Sequence, residues 1–351
     1  MTLAQLHVEG VRNLAPVTLQ PGAGLNWLQG DNGAGKTSVL EAVFLLARGR
    51  SFRSHRIGSI IQHGREQLRV VAHQSEDGVV LGMERSAGSW RGRIGGQDCH
   101  RLSEFAARLP LVLMQPDSHR LIDGGPEHRR QYLDWQLFHV EPGYLPVWQR
   151  YSRYLRQRNA ALKSGADGAV LRALEIPMAE AGEQMGRLRA GLVEATTRAI
   201  ADLAGALGVI LPGEVGLGYR WGYDETEGLA AALEASRSRD RDLGFTRRGP
   251  HRGELVVRCG GQSAAQELSR GQQTLMALLL LLAQLKALRE GPVKPLLLLD
   301  DPVSELDRRH FEGLLDWLNG QPIQVWVTST LPCAAPARVF HVEQGRIEPM
   351  V

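Results

Sequence analysis

Cysteine is scarce in this chain: Cys99, Cys259 and Cys333 are the only three, and no two form a C-x-x-C pair. That spacing excludes a zinc ribbon or a disulfide framework and points to a reducing compartment. Long apolar runs are missing too. The longest, Leu275 to Ala283, falls far short of the roughly 18 residues needed to span a bilayer. The opening stretch alternates like a strand and has no apolar signal core, so a soluble cytoplasmic protein is expected. Charge of one sign is not in excess, since the formal net charge is only +3. Clustering of the positive residues therefore matters more than their total. There is no internal repeat, low-complexity tail or sustained heptad pattern, which argues against a solenoid or a long coiled coil. Hydrophobic content of 43% and charged content of 23% are what remains, and both are ordinary for a globular chain.

What is present begins with Gly30-Asp31-Asn32-Gly33-Ala34-Gly35-Lys36-Thr37, which spells G-x-x-x-x-G-K-T. Leu25 to Leu28 before it reads as a strand, and Ser38 to Ala47 after it reads as a helix. This is the context a P-loop requires. The glycines let backbone N–H groups turn inward around phosphate oxygens at a helix N-terminus, where the helix dipole favours negative charge. Lys36 is expected to reach the β- and γ-phosphates of ATP, and the Thr37 hydroxyl to ligate Mg²⁺.

A second half of such a site is legible far downstream. Pro295-Leu296-Leu297-Leu298-Leu299-Asp300-Asp301 is a continuous apolar run ending in two carboxylates. A run without alternation suits a strand buried on both faces of a mainly parallel sheet. Ligands collect at the carboxyl ends of such strands. Asp300 is the candidate for holding Mg²⁺, and Asp301 for polarising the attacking water. About thirty residues earlier, Leu268-Ser269-Arg270-Gly271-Gln272-Gln273 opens another helix, with Ser269 as N-cap and Gln272 completing a capping box.

The chain between these motifs changes character. Gln67–Gln74, Val79–Glu84 and Ser89–Ile94 read as antiparallel strands. From about 102 to 208 the pattern is helical, with breaks at Glu141–Gly143 and Lys163–Gly168. Leu188, Leu192, Thr196, Ala199 and Leu203 step by threes and fours, as one buried helix face should. A strand near Leu217–Trp221 and a helix around Leu229–Arg237 follow.

A P-loop, then L-S-x-G-Q, then an apolar strand ending in paired acids resembles the ABC-type ATPase head. In that superfamily the L-S-x-G-Q segment binds the γ-phosphate held by a second subunit. The resemblance therefore implies a nucleotide-sandwich homodimer, with Ser269, Gly271 and Gln272 acting across the interface. Asp300 to Asp307 would continue as the interface-crossing D-loop. More narrowly the chain resembles the RecF family, related to the SMC heads, over nearly its whole length. The resemblance is carried by Val11-Arg12-Asn13-Leu14, Gly49 to Arg53, Gly124-Gly125-Pro126, Arg129 to Asp134 and Thr246 to Arg252. The segments Leu268 to Gln273 and Asp300 to Asp307 complete it.

That family implies an α/β fold. An ABC-type P-loop head, a mixed sheet with an antiparallel β-subdomain, would occupy 1–115 and 245–351. A mainly helical inserted domain would occupy 116–244, with no long coiled coil. The family further implies ATP-dependent DNA binding, a homodimer formed on ATP, slow DNA-triggered hydrolysis, and help in loading RecA at gaps with RecR and RecO. Nucleotide contacts are expected from Gly30, Asp31, Asn32, Gly33, Ala34, Gly35, Lys36, Thr37 and Ser38, with Arg12 beside them. Lys36, Asp301 and Gln115 are the expected catalytic residues. Gln115 stands where such heads place a Gln that touches Mg²⁺ and water. Two departures matter. The second acid is Asp301 where many heads have Glu, and Thr328 to Thr330 stand where transporters carry a switch histidine.

Binding to duplex DNA rests on Lys and Arg neutralising phosphates. The clusters available are Arg50, Arg53 and Arg56 after the P-loop helix, Arg129 and Arg130, and Arg150 and Arg153. In the last helix Arg156 and Arg158 add to one broad face. No helix-turn-helix or aromatic-interleaved basic patch is present. Sequence-independent binding to duplex, gapped or junction DNA is expected, and with it a nucleoid association. The rival readings are an ABC transporter ATPase subunit and a P-loop phosphotransferase. The first lacks its switch histidine here, and the second has no use for L-S-x-G-Q.

Overall fold

A computed structural model describes residues 2–333 and 335–350. The chain divides into two compact units, one of Met1–Ser118, Gly205–Val209 and Gln284–Val351, the other of His119–Ala204 and Ile210–Ala283. The segment Leu268 to Gln273 belongs to the second.

The first unit holds two six-stranded sheets. One runs Arg346–Pro349, Arg338–Glu343, Leu25–Gln29, Gln324–Ser329, Leu296–Leu299, Leu111–Met114, and is parallel apart from the hairpin at its Arg346 end. All four leucines of Leu296–Leu299 and all six residues of Gln324–Ser329 are buried, which is why these segments read as continuous runs. Each buried leucine contributes about 2 kcal/mol of transfer free energy. Because Gln324–Ser329 lies between the P-loop strand and Leu296–Leu299, the carboxyl ends of all three strands are neighbours. The other sheet is an antiparallel meander in the order Val17–Leu19, Leu3–Glu9, Gln67–Gln74, Val80–Ser86, Trp90–Ile94, Gln97–Cys99. Its strands alternate: Leu68, Val70 and Ala72 turn inward while Gln67, Arg69 and His73 face solvent. The helix Lys36–Arg48 is buried along nearly its whole length.

The second unit is mainly helical. Pro126–Val140, Tyr144–Lys163, Gly168–Leu207 and Gly228–Leu243 accompany a three-stranded antiparallel sheet of Val215–Arg220, Glu254–Cys259 and Gln262–Ser263. The helices stop where Glu141–Gly143 and Lys163–Gly168 are read as breaks. The long helix has its buried face at Met185, Arg189, Leu192, Thr196, Ile200 and Leu203, while Leu188 and Ala199 are only half-buried. The expected stripe is thus displaced by a buried arginine. Arg158, grouped by spacing with the solvated arginines of its helix, is fully buried instead. The helix Arg270–Arg289 is long and apolar enough to cross a membrane, but 78% of its apolar window is buried within the protein, as in a core helix.

Candidate nucleotide site

The turn from Leu25–Gln29 into Lys36–Arg48 is made possible by Gly35, which caps the helix at φ 118°, a conformation that L side chains rarely adopt. Lys36 Nζ folds back to donate to Gly30 O at 2.7 Å and Asp31 O at 2.9 Å. Burial holds its pKa below the usual lysine range, against the opposing fields of Asp301, Asp300 and Asp31. Asn13 fastens the loop from outside, donating to the carbonyls of Gly33 and Ala34 at 3.2 and 3.4 Å and accepting from Ser38 Oγ at 3.3 Å. A helix N-terminus with a cation beside it can take a multivalent anion.

Asp300 and Asp301 emerge from Leu296–Leu299 next to this cradle. Thr37 Oγ1 donates to Asp300 Oδ1 at 2.8 Å, joining two motifs 263 residues apart. Thr328 Oγ1 donates to the same oxygen at 2.9 Å and accepts the Asp301 N–H at 2.8 Å. Burial pushes the Asp300 carboxyl up from its ordinary range, and the hydrogen bonds from Thr37 and Thr328 counteract only part of this. Asp301 has φ 48°, in the left-handed region that few side chains enter and that Asp tolerates better than most.

Around the cradle lies a cleft of about 800 Å³, with Arg12, Lys36, Thr37, Arg53, Asp301 and Thr328 among its walls. Arg12 grips Glu41 of the P-loop helix through Nε at 2.8 Å and Nη2 at 2.9 Å. Those hydrogen bonds raise its pKa further. Ser51 also donates to Glu41, and in turn accepts the N–H groups of Arg53 and Ser54 at 2.9 and 3.0 Å. Glu41 and Asn13 are therefore structural members of the site that the motif reading missed. A lone acid inside the otherwise apolar run Ser38–Ala47 was the available signal for Glu41.

The other expected residues are distributed as follows. Gln115 follows the strand Leu111–Met114, its N–H donating to Ser118 Oγ at 2.9 Å, and it does not line the cleft. Ser269 and Gln272 form the reciprocal cap: Ser269 N–H donates to Gln272 Oε1 at 2.9 Å, and Gln272 N–H to Ser269 Oγ at 3.4 Å. Ser269 and Gly271 are exposed, and a Cβ built on Gly271 meets nothing within 4 Å. Arg50, Arg56, Arg150 and Arg153 are exposed. Arg53 is exposed too, but in the nucleotide cleft, where its field reaches Asp300. Arg129 is engaged by Glu254 at 2.6 Å and by the carbonyl of Gly124 at 2.8 Å, and Arg130 donates to Gly253 O at 3.4 Å.

The family model described as RecF/RecN/SMC N terminal domain matches residues 2–333. A protein of Xanthomonas axonopodis pv. citri (strain 306) called DNA replication and repair protein RecF is 41% identical, covering 99% of this chain and 98% of its own length. One of Pseudomonas aeruginosa (strain LESB58) bearing the same name is 38% identical, over 99% and 97%. A solved structure of the recombination mediator protein RecF-ATP in the RecFOR pathway superposes with a TM-score of 0.89 at 25% identity, covering 99% of this chain and 97% of that one. An Smc head domain from Pyrococcus furiosus shares the fold, with a TM-score of 0.59 at 16% identity.

Proposed function

The chain belongs to the RecF family, a group of DNA replication and repair proteins built on the ATPase head shared with SMC. From that membership we propose that it is an ATP-closed clamp on DNA. ATP occupies the cleft at Gly30–Ser38, its phosphates on the loop amides, with Lys36 exchanging the carbonyls of Gly30 and Asp31 for phosphate oxygens. Thr37 and Asp300 are the residues that would hold Mg²⁺. Their two oxygens, a hydroxyl and a buried carboxylate, suit a hard cation that keeps several waters and needs few protein ligands. Such an ion would supply charge neutralisation at the phosphates. Asp301 orients the attacking water, and Gln115 contributes from the neighbouring strand end once the site closes. Arg12 and Arg53 flank the nucleotide.

The observation that carries this reading is the Thr37–Asp300 hydrogen bond, which makes one site of two motifs separated by most of the chain. The exposed cap at Ser269 to Gln272 closes over the γ-phosphate of a second copy, giving a dimer that holds duplex or gapped DNA through phosphates. Slow hydrolysis, stimulated by DNA, reopens it. RecR and RecO are the partners and RecA loading the outcome, in line with the RecFOR pathway of the solved relatives.

Sedimentation and ATP hydrolysis, each with and without a gapped duplex, test the proposal. We expect dimer only with ATP and a hydrolysis rate raised by DNA. A rate and a sedimentation coefficient both indifferent to DNA would favour a transporter-type subunit and sink the clamp.

A further inference from the structure

Thr246-Arg247-Arg248-Gly249-Pro250-His251-Arg252 takes no part in the nucleotide site, yet its backbone is braced along its whole length. Thr246 N–H and Oγ1 both donate to Asn159 Oδ1, at 2.8 and 2.7 Å, and Thr246 Oγ1 accepts from Arg158 Nη1 at 2.8 Å. Arg247 N–H donates to Asp240 Oδ1 at 3.2 Å, and Pro250 O accepts from Arg189 Nη1 at 2.7 Å. His251 Nε2 lies 3.0 Å from Thr246 O, and its Nδ1 lies 2.6 Å from the Tyr151 hydroxyl. A carbonyl only accepts, so Nε2 carries the proton and Nδ1 accepts from Tyr151. Gly249 has φ 136°, and a Cβ there would sit 2.4 Å from the same hydroxyl.

The braces are costly groups. Arg158 and Asp240 are fully buried, and Arg189 is 2% exposed. Arg158 also pairs with Asp240 at 2.8 Å and Glu175 at 2.9 Å, and Arg189 with Asp134 at 2.6 Å. Buried ion pairs add little net stability over well-packed apolar residues. What the network does here is tie the loop at Thr246, Arg247 and Pro250.

The loop turns Arg248 and Arg252 to solvent and half-buries Arg247. Among the described residues no acidic side chain pairs with any of the three. Arg252 lies over the Phe245 ring at 5.6 Å, and Arg130 stands against Gly253 next door. Guanidinium forks without counter-ions match phosphate oxygens, and a braced backbone beneath them lowers the ordering cost of binding. Within Thr246–Arg252 no large apolar side chain is exposed, and Leu243 and Phe245 just before it are the exposed ones nearby in the chain.

We propose that Thr246–Arg252 is a preorganised phosphate-binding loop, in which Arg248 and Arg252 contact the backbone of duplex DNA. The proposal rests on the DNA-binding reading above and assigns it a surface outside the arginine clusters picked out by sequence.

The experiment is fluorescence anisotropy of a labelled duplex with the full-length chain and ATP across a range of KCl concentrations. Wild type is compared with Arg248→Gln/Arg252→Gln and with a charge-matched control, Arg91→Gln/Arg346→Gln, at exposed positions elsewhere. Each lost phosphate contact should make the plot of log K against log salt shallower by about 0.9, so the loop variant should lose about two units of slope and the control none. An unaltered slope in the loop variant overturns the proposal, including the case where the loop serves an acidic protein instead. So does an equal change in the control, which would mean that net charge alone matters. A wild-type chain that binds no duplex at any salt overturns the DNA reading itself and this inference with it.

Discussion

One hydroxyl, that of Thr328, makes two contacts: it donates to Asp300 Oδ1 and accepts from the Asp301 N–H. Its single O–H donor is taken by Asp300, and one of its lone pairs by the Asp301 N–H. Asp301 is held in left-handed backbone at φ 48°, a region that Asp enters more readily than most side chains, and the Thr328 bond helps to hold it there. Thr328→Val keeps the shape, strips Asp300 of a donor and leaves the half-buried Asp301 N–H without its acceptor. In steady-state ATP hydrolysis we expect kcat to fall about fivefold or more with KM nearly unchanged, matching the roughly 1–3 kcal/mol of an unsatisfied polar group. Thr328→Ser should recover most of the rate. A valine variant with wild-type kcat would show that the acids need no such strut. In the sequence Thr328 stands out only by its place in the chain, and its bonds to the two acids follow from which strand becomes its neighbour.

At the scale of elements, the clearest departures from the sequence reading lie in the helices of the second unit. Spacing grouped Arg158 with Arg150 and Arg153, and a helical wheel cannot say which polar residues turn inward when they are paired. Glu175 shows how the pairing works. Burial alone would raise its pKa, but the hydrogen bonds from Arg237 and Arg158 prevail and hold it below the ordinary carboxylate range. His251 in the braced loop shows the opposite outcome, lowered from 6.5 to about 4, first by burial and then by the fields of Arg252 and Arg130. Its folded pKa lies below its unfolded one, so the unfolded chain binds the extra proton between those values. Stability therefore falls as pH drops from about 6.5 to about 4, by up to roughly 3 kcal/mol. Thermal melts across that range should show a smaller loss of Tm for His251→Gln than for wild type. Equal losses would place the acid sensitivity elsewhere.

For the whole molecule, the fold class and most of the nucleotide cleft are visible in the chain, whereas the trans half of the proposed site is visible only as a motif. Ser269→Arg adds bulk and charge at an exposed cap, so ATP binding and thermal stability should persist while the ATP-dependent dimer is lost. Sedimentation of the variant with ATP decides it, since a dimer of wild-type affinity would remove the trans contact from the proposal. By itself the sequence determined the phosphate cradle, the two acids, the buried parallel strand and the change to helices. Each of these is local: glycine conformations, continuous against alternating burial, and capping chemistry all act within a few residues. Only the tertiary structure decided that Thr37 meets Asp300, that Arg53 enters the nucleotide cleft, and that Arg158 and Arg189 turn inward to brace an arginine loop. Those outcomes depend on which strands become neighbours and which charges find partners out of water. Contacts of that kind join residues far apart in the chain, and residue spacing carries no record of them.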